Sequence, residues 1–184
     1  MTTTLTKDVV TLLKQDHAAA KAAFAEFDSQ PSERWGAMFH ALSEMLVAHE
    51  VAEEVVVYPA IRKLQGGTEM VEERLAEQTK AEQTLVALER LDPRSETFAQ
   101  EFKVFTRDVL SHAKAEESGP FALLEKSESP ERLAELGKRY ADAKAAAPTH
   151  PHPHAPNTPP GNLVATPIAA LFDRVRDKMR GFFE

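Results

Sequence analysis

The 184-residue chain has no cysteine, which excludes disulfides, thiolate catalysis, iron-sulfur clusters and thiolate zinc sites together. Any metal must sit on nitrogen and oxygen. A long apolar run is also missing: the longest, residues 55–61, is far too short to cross a bilayer. The first eight residues lack the apolar core of a signal peptide, so a cytoplasmic protein with no membrane partner is expected. No basic stripe is present. Lysines and arginines are scattered through acidic segments and the formal charge is -7, which argues against a DNA or RNA partner. No stretch alternates with the period of a strand.

What the chain does have is 42 % apolar residues, enough for a core, set out in helical stripes. Over 5–27, Val10, Leu13, Ala20, Phe24 and Phe27 recur by threes and fours, and His17 falls among them. Over 32–64 the stripe reads Phe39, Leu42, Leu46, His49, Glu53, Val56 and Ala60. Pro59 predicts a kink near 55–59 rather than an end, because it removes one backbone bond. Gly66-Gly67 predicts the stop and Thr68 the cap of the next helix. That helix, 69–91, carries Val71, Leu75, Gln78, Glu82, Leu85 and Leu88 on its stripe. Asp92-Pro93 opens a fourth with Phe98, Phe102, Phe105, Val109, His112 and Glu116, disturbed at Gly119-Pro120. Ser129-Pro130 starts a fifth, more polar helix to about 147.

Residues 148–160 hold six prolines in thirteen, with His150, His152 and His154 between them. They predict a stiff, extended linker. Thr166-Pro167 then starts a short amphipathic helix. The expected architecture is all-α: an up-down antiparallel four-helix bundle with additional C-terminal helices. Its parts are the bundle with the fifth helix (1–147), a Pro/His-rich linker (148–165) and the amphipathic helix (166–184). The last would pack on the bundle, on a partner or on a second copy, giving a monomer or a homodimer.

The chemistry lies in the polar residues on these stripes. His49 and Glu53, like His112 and Glu116, stand one turn apart and leave one helix face together. Gln78 and Glu82 repeat the spacing, and His17 adds a third inward imidazole. Buried carboxylates cost several kcal/mol unless paired or metal-bound, so stability alone does not explain them. Imidazole with carboxylate suits iron, manganese or zinc. Three carboxylates neutralise two divalent ions better than one, which favours a two-metal site with histidines as terminal ligands and Glu53 and Glu116 as bridges. Glu50, about 100° round the helix from His49, is read first as a solvated residue and second as one within reach of a metal. His40 is read as a surface residue, and Tyr58 first as packing at the kink and second as a hydroxyl that approaches the site, as a ligand or beside one.

His17 in Gln-Asp-His, His49-x-x-x-Glu53 followed by Glu54 and Tyr58-Pro59, and His112-x-x-x-Glu116-Glu117 resemble the hemerythrin-type, or HHE cation-binding, domain. The resemblance covers about residues 6–125, and the linker and terminal helix are similar to actinobacterial members. It implies two iron ions, oxo- or hydroxo-bridged and ranked ahead of zinc or manganese, that meet dioxygen, hydrogen peroxide or nitric oxide. His17, His49, Glu53, His112 and Glu116 take the family's metal-ligand roles. The third helix departs from the family, which has a histidine near Gln78. Glu82 replaces that donor, or Gln78 coordinates or holds a water, or one metal position is weak; the first is preferred. An added carboxylate stabilises ferric iron, favouring weak catalase-like or ferroxidase turnover over reversible oxygen carriage. The alternative is a non-enzymatic, metal-poor regulatory or partner-binding bundle.

Overall fold

The computed structural model describes residues 7–146. The linker predicted at 148–165, with His150, His152 and His154, and the helix predicted at 166–184 lie outside them. The described residues form α1 (Val9–Ser29), a 3₁₀ turn (Ser32–Arg34), α2 (Trp35–Ala52), a π turn (Glu53–Val57), α3 (Tyr58–Ile61), α4 (Gly67–Glu89), α5 (Glu96–Ser118), α6 (Pro120–Ser127) and α7 (Pro130–Ala146). No strand occurs among them, and no helix among them is long and apolar enough to cross a membrane.

Local chemistry sets the boundaries. Asp8 caps α1 by accepting the Thr11 amide at 2.9 Å, and Ser95 caps α5 by accepting the Phe98 amide at 3.1 Å. The start of α5 is thus three residues beyond the predicted Asp92, whose carboxylate instead holds the Arg94 side chain. Thr68 is not the cap of α4, which begins at Gly67 after Gly66 turns through the left-handed region at φ 79°, a conformation glycine adopts without a Cβ penalty.

The kink predicted near Pro59 is a π turn. Proline removes its own amide and crowds the carbonyl four residues back, and the helix widens just before it, so that the Tyr58 amide bonds to the Glu53 carbonyl five residues earlier. Residues five apart then stand one above the other, which places the Tyr58 ring over Glu53.

The long helices ring a core in which α1 meets α2 and α5, α5 meets α4, and α4 meets α3. Every predicted stripe residue of α1, α2 and α5 is buried. Phe24, Phe27, Phe39, Phe98, Phe102 and Phe105 form one aromatic cluster, its tightest pair Phe27 and Phe102 with ring centroids 4.3 Å apart. Such pairs add to the burial of their area.

The fifth helix is more than an appendage. α7 lies on α1, α2 and the π turn and buries Leu133, Leu136, Tyr140 and Ala143. Gly137 allows that approach, since a Cβ there would stand 2.2 Å from the Lys7 carbonyl oxygen. Gly137→Ala is expected to lever α7 off the start of α1 and lower stability by roughly 1–3 kcal/mol, read from the midpoint of urea unfolding.

Candidate metal centre

His17, His49, Glu53 and Glu116 each offer a donor atom within 4.8 Å of all the others, and Glu50, Glu53 and His112 form a second such group. Glu53 belongs to both. His17 Nε2 and His112 Nε2 lie 3.4 and 3.3 Å from the same oxygen, Glu116 Oε2, and His49 Nε2 lies 3.4 Å from Glu53 Oε1. Glu53 and Glu116 are wholly buried.

These close pairs are not hydrogen bonds. His17 Nε2, His112 Nε2, Glu53 Oε1 and Glu116 Oε2 are buried and lack a hydrogen-bond partner, an arrangement proteins avoid unless something else occupies the donors. Two ligand atoms about 2.1 Å from one ion, at near-right angles to it, stand about 3 Å apart. The residues therefore fit a cation.

The outer ring nitrogens fix how each imidazole points. His17 Nδ1 lies 2.9 Å from Glu117 Oε1 and His112 Nδ1 lies 2.7 Å from Glu77 Oε2. A carboxylate only accepts, so both Nδ1 atoms carry the proton. His49 Nδ1 meets the Tyr140 hydroxyl at 2.6 Å. That hydroxyl spends its hydrogen on Asp16 Oδ2 at 2.6 Å and so accepts from His49. All three rings thus turn Nε2 inward, the atom with which metal-ligating histidines bind once its proton has left and an outer acceptor holds the ring.

The sequence model described as hemerythrin HHE cation binding domain matches residues 8–124. The chain belongs to the hemerythrin HHE family. Relatives of this hemerythrin-like chain include a hemerythrin-like protein of Schizosaccharomyces pombe, 33 % identical over 136 residues that make up 73 % of this chain and 67 % of that protein. A DNA nickase of Nostoc is 25 % identical over 135 residues, 73 % of this chain and 38 % of the nickase. No solved structure gives a significant match.

Within this hemerythrin-like centre the third-helix residues behave differently from one another. Gln78 turns its amide nitrogen to Glu53 Oε2 at 3.0 Å and to the Tyr58 hydroxyl at 2.8 Å, so it braces a carboxylate. Its Oε1 is buried and lacks a hydrogen-bond partner. Glu82 is in neither converging group; with Glu50, Glu54 and Gln78 it lines a cavity beside them.

The structure favours the second reading at Glu50 and Tyr58 and adds Tyr140. Glu50 is half-buried with Oε2 sealed from solvent, because α2 packs against α1 and α7 and its buried arc is wide. Tyr58 does more than pack: its hydroxyl donates to Glu116 Oε1 at 2.6 Å, a reach the π turn creates. Tyr140 went unremarked, although Leu133, Leu136, Tyr140 and Ala143 follow the same three-and-four spacing as the other stripes. The outer partners Asp16, Glu77 and Glu117 carried one signal, each being adjacent in sequence to an inward residue. His40 is half-buried on the bundle's outside, 3.4 Å from Glu44.

Without a cation the centre is electrostatically divided. Burial, with Glu116 and Glu50 nearby, lifts Glu53 well above the carboxylate range. Burial opposes ionisation of Glu116 as well, but the His112 and His17 imidazoles beside it overcome that and hold the carboxyl below the range. One of two adjacent carboxyls thus keeps a proton while the other is charged, as like charges at close range require. Burial, with Glu53 and Glu116 beside it, raises Tyr58, which stays a phenol.

Tyr140→Phe removes the acceptor of His49 Nδ1, leaving Asp16 Oδ2 at 3.5 Å as a poorer one. Metal affinity is expected to fall about tenfold, at the low end of what such outer partners contribute. Competition against a chelator of known affinity measures it.

Proposed function

We propose that this chain holds two iron ions and uses them to bind, sense or reduce a small oxidant: dioxygen, hydrogen peroxide or nitric oxide. The observation that carries the reading is Glu53, shared by two converging ligand groups, the position a bridging carboxylate takes between two cations in a helical bundle. His17, His49, Glu116 and Glu53 would hold one ion, and Glu50, His112 and Glu53 the other, with Glu116 Oε2 reaching both sides.

Iron bound there would supply one-electron redox chemistry. The protein's own residues do the rest. Glu50, Glu53 and Glu116 make the donor set rich in negative charge, which favours the ferric state and so turnover over reversible carriage. Tyr58 holds a proton at its hydroxyl and donates it to Glu116 Oε1 at 2.6 Å, which steadies that carboxylate. Met45, Leu46, Val109 and Leu110 line a second cavity that reaches His17, His49 and His112, an apolar chamber suited to a small neutral molecule. A net charge of -7 leaves nucleic acid out of this reading.

Protein purified in air from iron-rich medium is expected to carry about two irons per chain, with a near-ultraviolet charge-transfer band and slow peroxide decomposition. His112→Ala should abolish the band and at least half of the iron. Near-zero iron in the parent protein would overturn the proposal.

A further inference from the structure

We infer that the cavity lined by Glu50, Glu54, Gln78 and Glu82 is a port through which hydrated divalent cations reach the centre, ferrous iron being the physiological case. The inference rests on the di-metal reading above and adds to it a landing site, Glu54, Gln78 and Glu82, that lies outside the two ligand groups and leads to Glu50 of the second.

The cavity opens between α2 with its π turn and α4, and α5 closes its far side. Glu54 and Glu82 are half-buried and Glu50 is half-buried with Oε2 sealed, while Glu53, behind them, is fully buried. Leu85 and Phe105 make up part of the remaining wall. Acidic groups set in a low-dielectric wall focus their field on the opening and raise the local concentration of cations.

An acidic cluster alone would say little. The second observation is Gln78, a wall residue only 6 % exposed, whose Oε1 is buried and lacks a hydrogen-bond partner. Its nitrogen is committed to Glu53 and Tyr58, so the carbonyl end is left as a neutral oxygen donor. Glu50 Oε2, in the same wall, is likewise sealed and lacks such a partner. A cation that sheds waters on Glu82 and Glu54 thus meets further oxygens on its way to Glu53. This accounts for Glu82, an acid on the inward stripe of α4 that the two ligand groups leave out.

The test is the rate at which oxygen-free, metal-stripped full-length protein takes up cobalt(II), followed by visible absorption in a stopped-flow instrument. Two charges about 8 Å from a divalent ion, screened at about 0.1 M salt, change its local concentration roughly fivefold. Glu54→Gln with Glu82→Gln is therefore expected to slow uptake roughly fivefold and to weaken its salt dependence, while the final number of bound ions is unchanged. The control pair Glu33→Gln with Glu96→Gln removes the same charge from exposed positions beside the aromatic cluster, and should leave the rate as it is. Uptake at the parent rate in the first pair overturns the port. So does loss of one bound ion, which would make Glu54 or Glu82 a ligand instead. Failure of the parent protein to bind any metal would strike the di-metal reading, whereas either of the former outcomes leaves that reading standing. Because glutamine keeps the size of glutamate, an unchanged thermal midpoint verifies that both pairs are folded.

Discussion

Glu53→Gln is expected to empty the centre of metal and at the same time to make the metal-free protein more stable. Glu53 is the one residue common to both ligand groups, so its loss weakens both positions. Outer partners of metal ligands already contribute about 10–100-fold in affinity, and a shared inner ligand should exceed that. Stability moves the other way because the fully buried carboxyl is a liability when nothing cationic neutralises it. Glutamine can keep its oxygen facing the Gln78 amide, where Oε2 now accepts at 3.0 Å. Its nitrogen then faces the lone pair of His49 Nε2, where Oε1 now lies at 3.4 Å. At neutral pH the gain should be about 1–3 kcal/mol, or roughly 3–10 °C in melting temperature for a chain of this size. Calorimetry with chelator present measures it, alongside metal analysis of the untreated variant. A variant that melts lower than the parent, or that keeps its iron, contradicts this account.

The second large effect is on pH. In the metal-free protein burial pushes Glu50 up to about 8 from 4.5. Burial opposes charge on His112, but Glu116, Glu50 and Glu77 together carry it up to about 9 from 6.5. Both groups thus keep a proton in the fold after the unfolded chain has released it. Their stabilising contribution is complete below the lower value of each pair and disappears as pH rises through the higher one. Asp16 and Glu116 are shifted the opposite way, downward. Their contribution is present above the unfolded carboxylate value and is lost only in acid, so it does not mask the trend; His49, lowered from 6.5 by burial, opposes it only at the acid end of the window, and the raised His17 and Glu53 reinforce it. The metal-free protein should therefore melt roughly 5–10 °C lower at about pH 8.5 than at about pH 5.5. Metal takes the place of these protons, so loading should flatten or reverse the slope, affinity rising with pH. A flat profile for the stripped protein would mean that water reaches these carboxyls freely.

The same residues show how far the amino-acid sequence carries. Helical periodicity is local, and it placed His17, His49, Glu53, Gln78, His112 and Glu116 on buried faces because 3.6 residues per turn leaves little choice once the phenylalanines and leucines are assigned inward. It could also anticipate that Pro59 disturbs α2, since the missing amide is a property of the residue. Glu50 reads first as solvated because a stripe drawn from one helix says nothing about how many neighbours that helix has. Enclosed by α1, α7 and the helices across the core, α2 buries positions that an isolated amphipathic helix would leave wet.

Helical spacing was enough to turn His17, His49, Glu53, Gln78, His112 and Glu116 inward, and with them came the donor chemistry of nitrogen and oxygen without sulfur. The tertiary structure alone decided that α7 delivers Tyr140 to His49, that a π turn swings Tyr58 over Glu53 to reach Glu116, and that Gln78 braces Glu53 while Glu82 stands aside in a cavity. Those outcomes depend on helix rotation, spacing and a single extra residue in one turn. Such quantities are set by packing between rods distant in sequence, which no short-range pattern encodes.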